Sequence, residues 1–183
     1  MSTKLSNYLK WRGFTSRIFN IGNYRRKLVG GESCKQDFFD PNNQEAVNSR
    51  EECAILCLED LLSWVENSRG IAFFDGTNSN FKRREIVMNY IEDSGINVPV
   101  IHLESICDDE TIIMRNIITN KLGGPDYYKV KREEAIRDFY ERIAQYMKNY
   151  NPLEETERNG NLRFVKIINA GNEVNFNWAN LII

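Results

Sequence analysis

Apolar side chains recur with two different spacings along the chain, and these spacings predict alternating strands and helices. Residues 71–74 are four apolar residues in a row after Gly70, a run too short for a helix. Such a run predicts a strand that is buried on both faces and that ends here at Asp75. Over residues 43–69 the apolar positions follow helical spacing instead, so we expect the longest helix there.

The same reasoning places the remaining elements. Further helices are expected over residues 1–11, 80–94, 108–120 and 132–150, and further strands over residues 17–21, 98–103 and 162–169. The turn-rich stretches predict a strand end at 22–26, a loop at 30–43, a break at 123–128 and a tail of uncertain form at 172–183. Asp108 or Asp109 can cap the helix that follows. The side chains expected to face inward on the last two helices are Ile112, Ile113 and Ile117, and then Ile136, Phe139, Ile143 and Met147.

Strands that alternate with helices predict an α/β protein. Such a chain forms a three-layer structure, in which a mostly parallel sheet is covered by helices on both faces. The sequence contains no internal repeat, low-complexity segment or linker. We therefore expect one domain over residues 1–183.

The composition of the chain argues against some classes of function but does not identify one. The chain has 183 residues and a net charge of −2, which argues against a broadly basic nucleic-acid-binding surface. It has neither a membrane-length apolar run nor a signal peptide, so free cysteines and a cytoplasmic location are expected. Cys53 and Cys57 are one helical turn apart, but the chain has one histidine and no second cysteine pair, which argues against structural zinc. The other two cysteines are Cys34 and Cys107.

The candidate chemistry begins at Asp75. Ligands bind at the carboxyl ends of strands in parallel sheets, and a carboxylate there can hold a hydrated Mg²⁺ beside a nucleotide phosphate. The alternative interpretation is a polar turn that closes a core strand. Residues 82–84 place three cations at the start of a helix, where they are suited to bind phosphate or are simply solvated.

Several ordered motifs together carry a family resemblance. They are Phe19-Asn20-Ile21-Gly22-Asn23-Tyr24-Arg25-Arg26, Phe38-Phe39-Asp40-Pro41-Asn42, Phe74-Asp75-Gly76-Thr77-Asn78, Glu104-Ser105-Ile106-Cys107-Asp108-Asp109 and Pro125-Asp126-Tyr127. With these motifs the chain resembles the kinase domain of the 6-phosphofructo-2-kinase/fructose-2,6-bisphosphatase family, from its first helix to about Gly171. The resemblance implies a sheet of the P-loop-kinase type and transfer of the γ-phosphate of ATP to the 2-hydroxyl of fructose 6-phosphate.

The resemblance also implies roles for particular residues. Arg25, Arg50 and Arg83 would hold the sugar phosphate, Lys121, Arg142 and Tyr146 would close around it, and Thr77 would lie near the sugar. Asp75 would be the metal-proximal acid for Mg²⁺, and Cys107 occupies an active-site position of the family. The ATP contacts would be Asn116, Ile117, Ile118, Thr119, Asn120 and Lys121. Without the family, Tyr146 would be interpreted as core filling and Cys107 as a small buried apolar residue.

The departures from the family concern the nucleotide site. No G-x-x-x-x-G-K-[ST] motif occurs, and the first residues already match the first helix of the family. We therefore expect a chain whose first strand and phosphate loop are missing, whether truncated or misannotated at its start. Asn169 stands where an acid is usual in the family. The phosphatase motif Arg-His-Gly does not occur in the sequence, so no phosphatase domain is expected.

Three functions remain open at this point. The first is a 6-phosphofructo-2-kinase domain that is inactive as this chain, with fructose 6-phosphate, ATP and Mg²⁺ as its ligands and a homodimer as one assembly. The second is a module that binds a sugar phosphate or a protein and catalyses nothing. The third is another P-loop nucleotide-binding module. No nucleic-acid or membrane partner is expected.

Overall fold

The computed structural model describes residues 1–30, 38–124, 126–127 and 130–178. The chain divides into two compact units, Met1–Asn97 and Val98–Ile183. Parts of the predicted loop at 30–43, break at 123–128 and tail at 172–183 lie outside the described residues, and so does Cys34. Among the described residues, none of the helices combines the length and the apolar character that a membrane crossing requires.

The first unit alternates helices with two parallel strands. Its elements are α1 (Ser2–Trp11), β1 (Ser16–Asn20), α2 (Ile21–Leu28), α3 (Gln44–Ser68), β2 (Ile71–Asp75) and α4 (Phe81–Asp93). β1 and β2 run parallel with Asn20 opposite Asp75, so both strands end at the same level. Helices α1 and α3 each contact both strands, while α2 and α4 pack on α3.

Asparagine side chains begin three helices of this unit. The Oδ1 atoms of Asn20, Asn43 and Asn80 accept hydrogen bonds from backbone N–H groups three residues on, at 3.2, 3.1 and 2.8 Å. Each bond satisfies one of the N–H groups that a helix start leaves without a helical partner. α3 ends where Arg69 adopts the left-handed conformation, with φ of 49°.

The core of the first unit forms around α3, the longest helix of the described part of the chain, as predicted. Its buried side chains are Ala46, Cys53, Ala54, Cys57, Leu58, Leu61 and Leu62. Phe19 from β1 and Val87 and Ile91 from α4 are also buried. The apolar spacing over residues 43–69 therefore identified the central helix of this unit.

Two predictions for the first unit were wrong. Residues 22–26 do not simply end a strand, because they lie inside α2, which Asn20 caps. β2 is not buried on both faces: Ile71 is 39% exposed and the other four residues are half-buried. Its only partner among the described strands is β1, so one edge of β2 has no strand beside it.

The second unit contains a mixed sheet. Its elements are β3 (His102–Ile106), α5 (Glu110–Asn116), a π-helical turn (Ile117–Lys121), α6 (Arg132–Met147), a 3₁₀ turn (Glu157–Gly160), β4 (Phe164–Ile168), a second 3₁₀ turn (Asn169–Gly171) and β5 (Glu173–Asn177). β3 and β4 are parallel, and β4 and β5 are antiparallel. Leu153, Leu162 and Phe164 form a buried apolar cluster.

The second unit also corrects several predictions. The strand expected at 98–103 begins only at His102, after Pro99, which has no N–H to donate to a sheet. The helix expected to reach Tyr150 ends at Met147, which is 61% exposed, while Ala135 and Arg142 are the buried residues of α6. Asp109 does cap α5: its Oδ1 accepts from Thr111 N at 2.8 Å and Ile112 N at 3.2 Å. In the tail, residues 173–177 form a strand.

The fold class is confirmed at the coarse level. The described residues form an α/β structure with parallel strand pairs in both units. Their strands form two small sheets, one of two strands and one of three.

Candidate functional site

Asp75 lies at the carboxyl end of β2, beside the end of β1. Asn20 Nδ2 donates a hydrogen bond to Asp75 Oδ2 at 2.7 Å, while Asn20 Oδ1 caps α2. One side chain therefore connects the candidate acid to the start of a helix. Sequence reasoning missed this role of Asn20, although an asparagine between a strand and a helical stretch is a recognisable cap signal.

Two glycines allow the backbone to pass closely around this acid. A Cβ atom on Gly76 would lie 2.3 Å from Ile21 Cδ1, and one on Gly22 would lie 2.9 Å from Asn20 Oδ1. Both distances are too short for an added carbon without movement of a neighbour. Packing against Ile21 therefore requires a glycine at position 76, directly after Asp75.

Two of the predicted phosphate-binding cations affect the ionisation of Cys53 on α3. Arg25, on α2, is 9% exposed. Arg83 lies in the first turn of α4. Burial raises the pKa of the Cys53 thiol and Glu52 raises it further, whereas Arg25 and Arg83 both lower it. Both guanidinium charges thus favour the ionised form of this thiol, against the larger effect of burial.

Arg25 and Arg50 each lie over a phenylalanine of the segment before α3. Arg25 Cζ is 5.6 Å from the centroid of the Phe39 ring, and Arg50 Cζ is 5.8 Å from that of Phe38. Arg50 Nη1 also donates to the carbonyl oxygen of Phe38. These contacts hold the two predicted sugar-phosphate arginines in place by packing as well as by charge.

Two polar residues that follow Asp75 in the sequence differ in exposure. Thr77 is exposed, two residues after the acid. Arg84, by contrast, is only 5% exposed. Sequence reasoning grouped Arg84 with the other cations of residues 82–84. Helical spacing relates it instead to Val87 and Ile91, which are also buried on α4, and that spacing could have identified Arg84 as buried.

Asp75 also acts on a buried thiol. Cys57 on α3 is 0% exposed. Burial raises the pKa of this thiol to about 12, and the negative charges of Asp60 and Asp75 add to the effect. Cys57 is therefore neutral at physiological pH and faces the acids as an uncharged group.

In the second unit, Arg142 is held by three side chains. Its Nε atom lies 2.9 Å from Asp138 Oδ2, and its Nη1 atom donates to Asp126 Oδ2 at 3.5 Å. Its Cζ atom lies 4.9 Å from the centroid of the Tyr127 ring. Tyr127 is 5% exposed and donates through its hydroxyl to Asp138 Oδ2 at 2.6 Å. Burial, followed by this hydrogen bond, raises the pKa of Tyr127.

The other predicted ligands of the second unit lie on two helical segments. Tyr146 is half-buried, one turn after Arg142 on α6. Asn116 ends α5, and residues 117–121 form the π-helical turn, in which Ile117 is 1% exposed. The side chain of Lys121 lies outside the described part of the chain. A π turn is frequent at functional sites and was not predictable from the apolar spacing.

Cys107 is half-buried just after β3, with its Sγ atom 3.7 Å from the carbonyl oxygen of Asp109. The neighbouring residue, Asp108, forms a two-way contact with Asn169. Asn169 Nδ2 donates to Asp108 Oδ1 at 2.7 Å, and Asp108 N donates to Asn169 Oδ1 at 3.0 Å. Asn169 thus connects the segments that follow β3 and β4.

Glu104, on β3, is a polar residue that sequence reasoning did not single out. Its side chain is 10% exposed and lies 3.6 Å from Lys166 Nζ. Tyr150 donates to it at 2.5 Å, and the backbone N–H of Leu153 donates to both of its oxygens at 3.3 Å. These bonds fix the segment after α6 against the sheet. The predicted strand ended one residue before Glu104, so its place on β3 was not predicted.

The residues present fit a magnesium ion only in part. Among the described residues, no cluster of three or more histidine, cysteine or acidic side chains could hold a metal. Magnesium in nucleotide sites needs less, because one or two carboxylates, phosphate oxygens and water complete its shell. Asp75, with one oxygen fixed by Asn20, suits that role.

Comparisons with known proteins agree with the motifs. The family model described as 6-phosphofructo-2-kinase matches residues 1–181. A probable 6-phosphofructo-2-kinase of Schizosaccharomyces pombe is 40% identical over 93% of the chain and 25% of its own length. 6-Phosphofructo-2-kinase/fructose-2,6-bisphosphatase 1 of Homo sapiens is 40% identical over 93% of the chain and 36% of its own length. A 6-phosphofructo-2-kinase/fructose-2,6-bisphosphatase of Gallus gallus has the same identity and coverage.

This chain therefore spans between about a quarter and about a third of the length of these relatives. The match extends through nearly all of its residues and includes both units. The chain belongs to the 6-phosphofructo-2-kinase family.

Proposed function

We propose that this chain carries the fructose 6-phosphate and nucleotide contacts of a 6-phosphofructo-2-kinase. That activity transfers the γ-phosphate of ATP to the 2-hydroxyl of fructose 6-phosphate and forms fructose 2,6-bisphosphate. The observation that carries the proposal is the placement of Asp75. It lies at the carboxyl end of a parallel strand pair, tied by Asn20 to the helix that holds Arg25.

Phosphoryl transfer depends on positioning and charge compensation rather than on a protein nucleophile. In the first unit, we assign sugar-phosphate contacts to Arg25, Arg50, Thr77 and Arg83. In the second unit, we assign them to Lys121, Arg142 and Tyr146. Arginines suit this task because the guanidinium group binds phosphate oxygens in pairs. Cys107 needs no chemical role in this scheme and serves as a small side chain at the end of β3.

Asp75 is the residue we assign to Mg²⁺, and residues 116–121 are those we assign to ATP. When bound, the ion would neutralise charge on the transferring phosphate. Asn20 would keep one oxygen of Asp75 occupied, so that the carboxylate keeps one orientation. The same proposal includes a sheet of the P-loop-kinase type and a single kinase domain. It also includes a cytoplasmic location and a homodimer.

A second candidate is a module that binds the sugar phosphate without catalysis. It is favoured by one feature of the sequence, since the 183 residues contain no G-x-x-x-x-G-K-[ST] loop to surround the β- and γ-phosphates. Both candidates share fructose 6-phosphate binding, and they differ in whether these residues take part in catalysis when a phosphate loop completes the nucleotide site.

Calorimetric titration of the 183-residue chain with fructose 6-phosphate tests the shared part. Arg50→Ala should weaken binding by about 1.5–3 kcal/mol, the range for hydrogen bonds to charged groups. Arg137→Ala, an exposed change on α6, is the matched control and should leave the affinity unchanged. If the wild-type chain binds fructose as well as fructose 6-phosphate, or if Arg50→Ala binds normally, the site assignment is wrong.

A further inference from the structure

Asn78 lies in the short connection between β2 and α4, and its backbone conformation is unusual. Its φ angle is 33°, in the left-handed region that residues other than glycine seldom adopt. Asparagine adopts this region more readily than most residues, but glycine does so without a steric cost. Glycine would therefore meet the need of the turn, so the turn does not explain the amide side chain.

The side-chain oxygen of Asn78 is buried and has no hydrogen-bond donor. None of the described residues donates to its Oδ1 atom. An asparagine in a turn ordinarily uses this oxygen to accept from a nearby backbone N–H group. In this connection Asn80 has that role, since its Oδ1 atom accepts from Arg83 N at 2.8 Å. A buried acceptor without a donor costs free energy, so a bound ligand that donates to Asn78 Oδ1 would be stabilised there.

The connection that contains Asn78 is fixed at both ends. At its start, Asn20 holds Asp75 at 2.7 Å, and at its end Asn80 caps α4. These contacts support a left-handed residue between them, as is common beside binding sites. Consecutive Cα atoms are about 3.8 Å apart, so the Cα atom of Asn78 lies within about 11 Å of that of Asp75. The unsatisfied oxygen thus belongs to the same edge of the sheet as the candidate acid.

The missing donor has a restricted chemistry. A phosphate dianion and a carboxylate only accept hydrogen bonds, so neither of them can satisfy an amide oxygen. A hydroxyl group can donate to it. In fructose 6-phosphate the hydroxyl groups are on the sugar, and Thr77, the neighbour of Asn78, is already assigned to the sugar.

We propose that Asn78 Oδ1 accepts a hydrogen bond from a hydroxyl group of the sugar. Asn78 then distinguishes a sugar phosphate from phosphate esters without hydroxyl groups, while the arginines bind the phosphate itself. The contact is non-covalent and moves no proton. This inference rests on the proposed function and adds to it a residue outside the contacts assigned above.

Two ligands measure this contact by calorimetric titration of the 183-residue chain without Mg²⁺ or nucleotide. Fructose 6-phosphate carries both groups, whereas the methyl phosphate dianion has the phosphate and no hydroxyl group. The ratio of the two affinities is the sugar preference. Asn78→Gly suits the left-handed backbone and removes the acceptor. It lowers the sugar preference about three- to tenfold, the effect of one lost hydrogen bond, and leaves the affinity for methyl phosphate unchanged.

Two further variants serve as controls, and urea denaturation establishes that each variant is folded. Asn159→Gly makes the same substitution at an exposed residue with φ of 56°, and it leaves the sugar preference unchanged. Asn78→Asp keeps the shape and an acceptor oxygen. Its charge repels both phosphates alike, so both affinities fall while the sugar preference is retained. If Asn78→Gly does not fold, Asn78→Ser, which shortens the side chain and removes the amide, decides the question by the same ratio.

The outcomes separate this inference from the proposed function. If the acceptor is satisfied by a water molecule, free or bound to Mg²⁺, Asn78→Gly keeps the wild-type sugar preference. That result overturns the inference, and the proposed function stands if Arg50→Ala still weakens fructose 6-phosphate binding. Equal losses in Asn78→Gly and Asn78→Asp also overturn it, because they assign the contact to the amide nitrogen.

A third sugar phosphate tests the substrate. If glucose 6-phosphate binds wild type as tightly as fructose 6-phosphate and loses as much affinity in Asn78→Gly, the hydroxyl contact stands and the assigned substrate is wrong. If wild type binds neither fructose 6-phosphate nor methyl phosphate, both the inference and the proposed function are overturned.

Discussion

The side-chain amide of Asn20 forms hydrogen bonds with two different parts of the first unit. Its oxygen caps α2, and its nitrogen holds Asp75. Neither contact was predicted, because the pairing of strand ends that brings Asn20 beside Asp75 depends on register across 55 residues of sequence. Local patterns fix the type of an element far better than its partner in the sheet.

The two roles of Asn20 can be measured separately. Asn20→Ser keeps a capping oxygen but cannot reach Asp75 with an amide, so it should lose about 0.5–1.5 kcal/mol of unfolding free energy. Asn20→Ala loses both contacts and should lose about 1 kcal/mol more. Urea denaturation of the two variants gives the comparison. Equal losses would show that the cap contributes nothing beyond the bond to Asp75.

Cys57 provides a pH signature. The pKa of its thiol in the folded chain is raised to about 12, above the ordinary value of 9.0. Between these two pH values the thiol ionises only in the unfolded chain. In that pH range the unfolded state binds fewer protons than the folded state. The contribution of the Cys57 thiol to the free energy of unfolding is therefore complete below pH 9 and is lost as the pH rises toward 12. The expected slope is at most about 1.4 kcal/mol per pH unit.

The measurement is urea denaturation at several alkaline pH values. Cys57→Ala is the control, since it removes the thiol that titrates. This variant should be less stable near neutral pH because of the cavity it leaves, but its stability should fall less steeply with pH. Parallel curves for wild type and Cys57→Ala would contradict the assignment.

At the scale of elements, apolar spacing identified most helices and strands but not their ends. β3 starts four residues later than predicted because Pro99 interrupts the apolar run and the pairing with Phe164 sets the register. α2 was missed because eight residues with Gly22 near the start give little helical signal, and its stability comes from the Asn20 cap and packing on α3. The apolar spacing correctly placed Ile117 inward, where it is 1% exposed, but it did not reveal the π turn that begins there.

Gly76, just after β2, lies close to Ile21 at the start of α2, and this contact can be tested. Gly76→Ala would place a methyl group 2.3 Å from Ile21 Cδ1, so it should destabilise the chain by about 1–3 kcal/mol. Ile21→Val removes that Cδ1 atom. The double variant should therefore recover part of the loss made by Gly76→Ala, and a thermodynamic cycle from urea denaturation measures the coupling. Strictly additive effects would mean that the two elements do not meet as described.

At the scale of the whole molecule, the site was predictable only in outline. Motifs identified the family, and they placed Asp75 at a strand end, as observed. They could not show that Arg142 is already paired with acids, because Asp126 and Asp138 lie outside the residues that the resemblance marks as ligands. Side-chain networks of this kind depend on packing between segments, and one sequence carries no direct record of it.

The 183 residues contain no G-x-x-x-x-G-K-[ST] motif, and this predicts the turnover of the chain by itself. We expect the 183-residue chain to form no measurable fructose 2,6-bisphosphate from ATP and fructose 6-phosphate. Losing several phosphate donors should cost well over about 4 kcal/mol of transition-state stabilisation, since one such donor alone is worth about 2.7–4 kcal/mol. A coupled kinase assay, with a relative that contains the phosphate loop as positive control, gives the answer. Turnover within a hundredfold of that relative would exclude the module without catalysis.

The two-way contact between Asn169 and Asp108 has a consequence for how the second unit responds to its surroundings. An acid at position 169 would bring two like charges within about 2.7 Å of each other. Such a pair holds together only by sharing a proton or by binding a cation between its members. With an amide there, the ends of β3 and β4 are joined by two hydrogen bonds that require neither a shared proton nor a bound cation.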